Sequence, residues 1–355
     1  MNAPVNLRAD PQLLNEAFRA IKAEKNLRNR DAAAALGVTE GEVIASGVGS
    51  NQGFGAIRLK GDYAAMIARL ETLGDVMALT RNESVVHERV GTYRNASHEG
   101  HVGLVVGEDI DLRIFYSHWK HGFAVTEDTP RGPQRSLQIY DAAGAAVHKV
   151  FLKPQSSLEE YTRLVDDWTA AEQSAGISVI PAAVKTTPRP DAEIDVDGLQ
   201  LAWAGMKDTH EFFGLLKKFS VARTQALRLV GDDFAYRVGH GATLAMLESA
   251  AAAALPIMCF VGNPGIIQIH TGPVVNIKVM GDWVNVLDPA FNLHLRADRI
   301  AQSWVVQKPT TEGTVTSLEL FDGEGETIAM FFGKRKPGVP ELPAWRDLVA
   351  ALPRL

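Results

Sequence analysis

The chain has 355 residues, 46% of them hydrophobic and 22% charged, with a formal net charge of −6. That length exceeds what one hydrophobic core usually fills, so the composition points to a soluble globular protein of two domains. The negative balance argues against a polyanion as the main partner, and the single cysteine, Cys259, excludes an internal disulfide framework or a multi-cysteine metal site within one chain.

In chain order, the first residues carry no basic segment leading into an apolar run, so no secretory signal is expected and the expected location is cytoplasmic. Apolar periodicity predicts helices over 12–25, 30–36 and 62–73. Strand-like runs follow over 76–80, 84–89, 101–106, 112–116, 123–126 and 136–140, separated by turn signals such as Asp141-Ala142-Ala143-Gly144. A helix over 157–169 closes this set. Residues 171–198 hold Pro181, Pro188 and Pro190 and no aromatic residue, and read as a linker. A helix over 210–219, further strands and a last helix near 345–351 complete the chain. The apolar stretch over 250–261 is rich in alanine and interrupted by Pro256, too short for a membrane span of about 20 residues, so no membrane insertion is expected. Cys259 lies within that stretch and reads as a buried, inert thiol.

An offset of 181 residues aligns the chain with itself. Asn82 meets Asn263, Ser136-Leu137 meets Ser317-Leu318, Asp141 meets Asp322 and Gly144 meets Gly325, with 14 identities over the 70 positions from 82 to 151. Unrelated segments of ordinary composition give roughly four or five. The expected architecture is therefore α+β, a tandem duplication in which each copy is a largely antiparallel β-sheet with flanking helices. The expected domains are 1–170 and 199–355, joined by the linker.

His210 breaks the duplication. Asp208 or Thr209 is a plausible N-cap, which puts His210 in the first turn of its helix. Phe212, Leu215, Leu216 and Phe219 form the core-facing stripe, and His210 lies beside it above Phe213 and Gly214. The first helix of the other copy has no histidine. An imidazole above an aromatic ring and a bare glycine leaves room for a flat apolar ligand. The positive end of a helix also favours the neutral imidazole that iron needs. On spacing alone, however, His210 is one of ten histidines, and a surface or capping role is the ordinary one.

The run Lys207-Asp208-Thr209-His210-Glu211-Phe212-Phe213, with Leu215-Leu216-Lys217, resembles the DxHxFFxLLK segment of the HemS/HmuS haem-utilisation family. So do Asp111-Leu112-Arg113-Ile114-Phe115, Phe260-Val261-Gly262-Asn263, Lys308-Pro309-Thr310 and Thr316-Ser317-Leu318-Glu319-Leu320-Phe321. The resemblance covers nearly the whole chain. It implies a cytoplasmic protein that binds one haem b (iron protoporphyrin IX) per chain and carries it from a haem import system towards degradation, with a haem oxygenase as partner. It also leaves open that the protein degrades haem itself. Position by position, it implies His210 as the proximal iron ligand and Arg113 on the opposite face, in a pocket between the two halves. Alternation puts Phe115 beside Arg113, so a fixed charge meets an apolar wall. Arg223, Lys308 and Arg335 are implied as basic groups for the propionates. Met330 and Phe332 stand where relatives have glutamine and tyrosine, which leaves Phe332 as apolar packing. His87, whose repeat partner is Gln268, is implied as an alternative haem-contacting histidine.

Two other readings compete. Residues 29–43 have the look of a helix–turn–helix, but the would-be recognition helix opens with Glu40 and Glu42, which repel phosphate, so DNA is not the expected partner. The pairs His98/His101 and His118/His121 have spacing that zinc could use, without a third ligand or an adjacent base.

Overall fold

The turns between the longest strands repeat atom for atom. Asp141 Oδ1 accepts from the backbone N–H groups of Ala143 and Ala145, each at 2.9 Å, and Gly144 takes φ +78°. Asp322 Oδ1 accepts from Glu324 and Glu326 at 2.9 Å, and Gly325 takes φ +80°. Only glycine enters that left-handed region without strain, and a short carboxylate is what ties such a turn. A β-bulge precedes each turn, at Ile139/Tyr140 and at Leu320/Phe321, so even the irregularity is duplicated.

The computed structural model describes residues 6–50, 52–182, 187–335 and 338–355. The chain divides into two compact units. The first takes in the chain up to Arg81, the stretch from Glu88 into the linker, and Asn263–Gln268; the second takes in Asn82–His87, the stretch from the linker to Gly262, and Ile269–Leu355. Each unit thus builds in six residues from the other half of the sequence, and one asparagine anchors each insertion. In the second unit Asn82 Nδ2 donates to the carbonyls of Gly262 (3.1 Å) and Ile328 (2.9 Å). In the first, Asn263 Nδ2 donates to those of Arg81 (3.0 Å) and Val147 (2.9 Å).

The elements of the first half are α1 (Pro11–Lys25), α2 (Asn29–Ala35), α3 (Glu40–Ser46), β1 (Phe54–Leu59), α4 (Tyr63–Arg69), β2 (Val76–Arg81), β3 (Val85–Gly91), β4 (Ala96–Glu99), β5 (Val102–Val106), β6 (Asp111–Phe115), β7 (His121–Thr129), β8 (Gly132–Tyr140), β9 (Ala146–Leu152) and α5 (Leu158–Trp168). Within the first unit an antiparallel sheet runs β1–β7–β8–β9–β2, and β4–β5–β6 form an antiparallel meander. The expected helix over 62–73 is α4 followed by a 3₁₀ turn, Leu70–Leu73. The β7–β8 hairpin outruns its expected length because its outer residues are exposed and show no apolar alternation.

The helix–turn–helix look is only local. Thr39 and Glu42 form a capping box at α3, and every residue of α3 is buried. A helix packed on all sides has no face to lay in a groove, so the DNA reading loses the element it rested on.

The second half repeats the plan with α6 (Val196–Ala204), α7 (Glu211–Phe219), α8 (Arg223–Leu229), β10 (Ala235–Val238), α9 (Ala242–Ala252), β11 (Ile257–Asn263), β12 (Ile266–Gly272), β13 (Ile277–Met280), β14 (Trp283–Leu287), β15 (Phe291–Arg296), β16 (Gln302–Thr310), β17 (Gly313–Phe321), β18 (Thr327–Gly333) and α10 (Pro343–Ala350). Its sheet runs β10–β16–β17–β18–β11 and its meander β13–β14–β15, strand for strand the order of the first unit. Each unit has its own buried core: Leu70, Leu112, Leu164 and Ile266 in the first, Met246, Leu293, Leu320 and Trp345 in the second. Cys259 is among the buried residues, and burial pushes its thiol up, as expected of an inert cysteine. Among the described residues no helix is long and apolar enough to cross a membrane.

Candidate functional site

His210 sits at the N-terminal cap of α7, one residue before the regular helix, and its side chain is 93% exposed. The cap is not the side-chain cap expected from Asp208 or Thr209. Instead Asp208 Oδ1 accepts twice from His210, from its backbone N–H at 2.8 Å and from ring Nδ1 at 2.6 Å. A carboxylate can only accept, so Nδ1 carries a proton, and in the neutral ring the lone pair is then on Nε2, on an exposed side chain. The two donors from His210, backbone first and ring second, hold the Asp208 carboxyl below its usual range, and Arg335 adds to the effect.

The apolar stripe of α7 falls as the periodicity predicts, with Phe212 and Leu215 buried. Phe213, at i+3 from His210, is 77% exposed, and a Cβ on Gly214 would meet nothing within 4 Å. A large exposed ring beside an exposed imidazole and a bare glycine is uncovered apolar surface at this end of the helix. That is the surface a flat apolar ligand needs.

Behind α7 lies a charged centre that local sequence patterns do not reveal. Glu319, on β17, is fully buried between two cations: Arg223 donates to its Oε2 from Nε at 2.9 Å and from a terminal nitrogen at 2.7 Å, and Lys308 Nζ donates to its Oε1 at 2.7 Å. Burial by itself raises this carboxyl, but Arg223 and Lys308 outweigh it and hold it at about 2. Two cations on one carboxylate leave one positive charge in excess. The Phe212 ring covers both cations, at 4.5 Å from Lys308 Nζ and 5.0 Å from the Arg223 guanidinium. Lys308 is buried, whereas the Arg223 side chain is 26% exposed, so Arg223 is the cation of this pair that solvent reaches.

Met330 and Phe332 sit at the edge of this centre on β18. Arg223 donates to Met330 Sδ at 3.1 Å, so the thioether keeps one polar contact there. Phe332 packs edge-on against Phe260, with centroids 5.0 Å apart. In the second unit, then, Arg223 and Lys308 lie against Phe212 of α7, Phe332 follows Met330 on β18, and Arg335 is close enough to Asp208 to act on its carboxyl.

Arg113 and Phe115 belong to the first unit. On β6 they share a face with Asp111, while Leu112 and Ile114 point into the core, as the alternation predicts. Arg113 bonds to Asp111 Oδ1 and, at 3.1 Å, to the carbonyl of Leu112. Leu104 and Val102, cross-strand from Arg113 and Phe115, are exposed, so this face is an apolar surface carrying the Arg113–Asp111 ion pair. His87 is placed differently. It is fully buried in the second unit with its ring 5.0 Å from Phe291, and it would have to leave the core to meet a ligand. Among the described residues no group of three or more His, Cys, Asp or Glu side chains could hold a bare metal ion, which leaves the two histidine pairs without the ligands zinc requires.

Comparison with known proteins gives a consistent picture. The haemin-degrading HemS/ChuX domain model matches twice, over residues 37–168 and 220–352. The hemin transport protein HemS of Yersinia enterocolitica is 39% identical over 324 residues, covering 91% of this chain and 92% of its own length. Among solved structures, holo-PhuS, a heme-binding protein from Pseudomonas aeruginosa, shares 49% identity and a TM-score of 0.94 over 97% of this chain and 99% of its own. ChuS, a heme degrading enzyme from Escherichia coli O157:H7, shares 35% identity and a TM-score of 0.88 over 97% and 99%.

Proposed function

The chain belongs to the haemin-degrading HemS/ChuX family, and on that premise we propose that it is a cytoplasmic haem-binding protein that accepts imported haem b through His210 and delivers it for degradation or iron release. The observation that carries this reading is the His210 side chain, tied at Nδ1 to Asp208 and open at Nε2, beside the exposed Phe213 ring. Neutral imidazole is a strong ligand for haem iron, and the excess positive charge at Arg223 suits a propionate. A haem import system upstream and a haem oxygenase downstream are the partners this role needs. One histidine ligand on an exposed helix end also leaves the cargo free to exchange.

Haem titration into the apo-protein tests the proposal. We expect saturation at one haem per chain. His210→Ala is expected to shift the Soret band and to weaken binding by at least about 10–100-fold, the loss usual for disturbing a metal ligand's environment. An unchanged spectrum and affinity in His210→Ala would remove the assignment. Arg113→Ala is expected to change the spectrum while keeping the His210-dependent band, with affinity reduced by less than about tenfold, the scale of one partly exposed charge contact.

Degradation of the bound haem by the protein itself is the second reading, favoured by the likeness to ChuS. Anaerobic transfer of intact haem to a haem oxygenase supports delivery. Release of iron and a tetrapyrrole product, with an enzymatic electron donor and catalase present, supports degradation. Catalase is needed because free peroxide destroys haem without control by the protein.

A further inference from the structure

We infer that Asp208 is a positioning residue: its Asx turn holds His210 as the Nδ1–H tautomer with Nε2 outward, before any ligand arrives, and strengthens the imidazole as a donor once iron is bound. The inference rests on the haem reading of His210 for its second half only. Its first half concerns the protein alone.

Two hydrogen bonds on one oxygen carry the argument. Asp208 Oδ1 accepts the His210 backbone N–H at 2.8 Å, which closes an Asx turn and fixes where the carboxylate sits. The same oxygen then lies 2.6 Å from Nδ1. Because the backbone positions the acceptor, the ring meets it without ordering a second flexible side chain. Both groups are exposed in the free protein, with side chains 93% and 60% accessible, so water weakens the bond there. A flat apolar ligand covering the ring would exclude that water and strengthen the same bond in a lower dielectric. A carboxylate on Nδ1 draws the ring towards imidazolate and makes Nε2 the better donor. The short spacing Asp-x-His is what permits this, because the turn needs the acceptor two residues before the donor.

Two measurements on the full chain separate the halves. The first is long-range ¹⁵N–¹H correlation on ring-labelled apo-protein at pH 8, where an ordinary imidazole is neutral. Wild type is expected to show His210 as the Nδ1–H tautomer, as is Asp208→Asn, whose side-chain oxygen still accepts. Asp208→Ala is expected to shift towards Nε2–H. The second is the iron–histidine stretching band of the ferrous haem complex by resonance Raman. It is expected to fall in Asp208→Asn and Asp208→Ala, with haem affinity down by about tenfold in Asp208→Ala. A wild-type Nε2–H tautomer overturns the inference, and so does an unshifted band in both variants. If the band survives His210→Ala, the haem reading of His210 fails instead, while the apo-protein spectra still decide the tautomer.

Discussion

Glu319→Ala is expected to destabilise the second unit by about 3–5 kcal/mol, the usual effect of removing one partner from a buried ion pair. Arg223 and Lys308 would be left facing each other under the Phe212 ring with no carboxylate between them. The size of the effect follows from burial. Glu319 is completely buried, so no water replaces the lost oxygen atoms, and Ser317, which donates to Glu319 Oε1 at 3.0 Å, loses its acceptor too. Glu319→Gln keeps an acceptor but not the charge, and is expected to fall between wild type and alanine. Urea unfolding followed by tryptophan fluorescence measures both, with the transition of the second unit as the readout. A loss below 1 kcal/mol in Glu319→Ala would mean that the cations relax into solvent and that the centre is not structural. The pH dependence has a definite sign. The carboxyl is held at about 2, below its ordinary value, so its contribution is complete above about pH 4.5 and is lost as pH falls towards 2.

The second large effect is an acid sensitivity of the first unit that begins at higher pH. His148 is buried between Thr80 Oγ1 (2.9 Å to Nδ1) and the Tyr93 hydroxyl (2.6 Å to Nε2), with Trp119 stacked beside it at 6.2 Å. Burial pushes its imidazole down to about 3, partly offset by the backbone at Leu79. The unfolded chain binds a proton near the ordinary value of about 6.5, and the native state resists it until about 3. Stability is therefore complete above about pH 6.5 and declines as pH falls, with a limiting slope of about 1.4 kcal/mol per pH unit and a total on the order of 5 kcal/mol. Urea midpoints at pH 7.5, 6 and 5 test this. In His148→Gln, whose amide can still bond both hydroxyls, the decline between pH 6.5 and 4.5 is expected to flatten, while the lower window governed by Glu319 persists. An unchanged slope in that variant would show that other groups set the acid limit.

The duplicated centres distribute their charges over different elements. Lys308 and Glu319 correspond, 181 residues earlier, to Glu127 and Gln138, and Met330 corresponds to Lys149. Arg223 opens α8 as Glu40 opens α3. In the first unit Glu40 is the buried carboxylate, bonded to Lys149 at 2.5 Å and to Arg81. Burial would raise it, but the two cations hold it below its ordinary range. Glu127 is bonded to Lys22. Both centres thus set two cations on one buried carboxylate, but the carboxylate stands on a strand in the second unit and at a helix start in the first, so the part-exposed Arg223 has the buried Glu40 as its counterpart. The first helix of the first copy has no histidine to match His210, which is the basis for expecting one haem per chain.

Much of this organisation is present in the linear pattern. The offset of 181 residues shows when the chain is aligned with itself; the Asp–x–x–Gly turns, the strand alternation that pairs Arg113 with Phe115 and the apolar stripe of α7 depend on neighbours within a few positions, and those local rules hold because each is a backbone or one-face constraint. His210 was legible as a candidate for the same reason. Tertiary structure alone decided the rest. Glu319 reads in sequence as one charged residue between leucines, and its partners Arg223 and Lys308 lie 96 and 11 residues away. His87 and His210 look alike as asymmetric histidines, yet one is fully buried and the other almost fully exposed. The helix–turn–helix pattern was a correct reading of two short helices and a turn, but packing closed α3 on every side. Burial and long-range charge pairing depend on which distant segments come together, and no short-range periodicity encodes that.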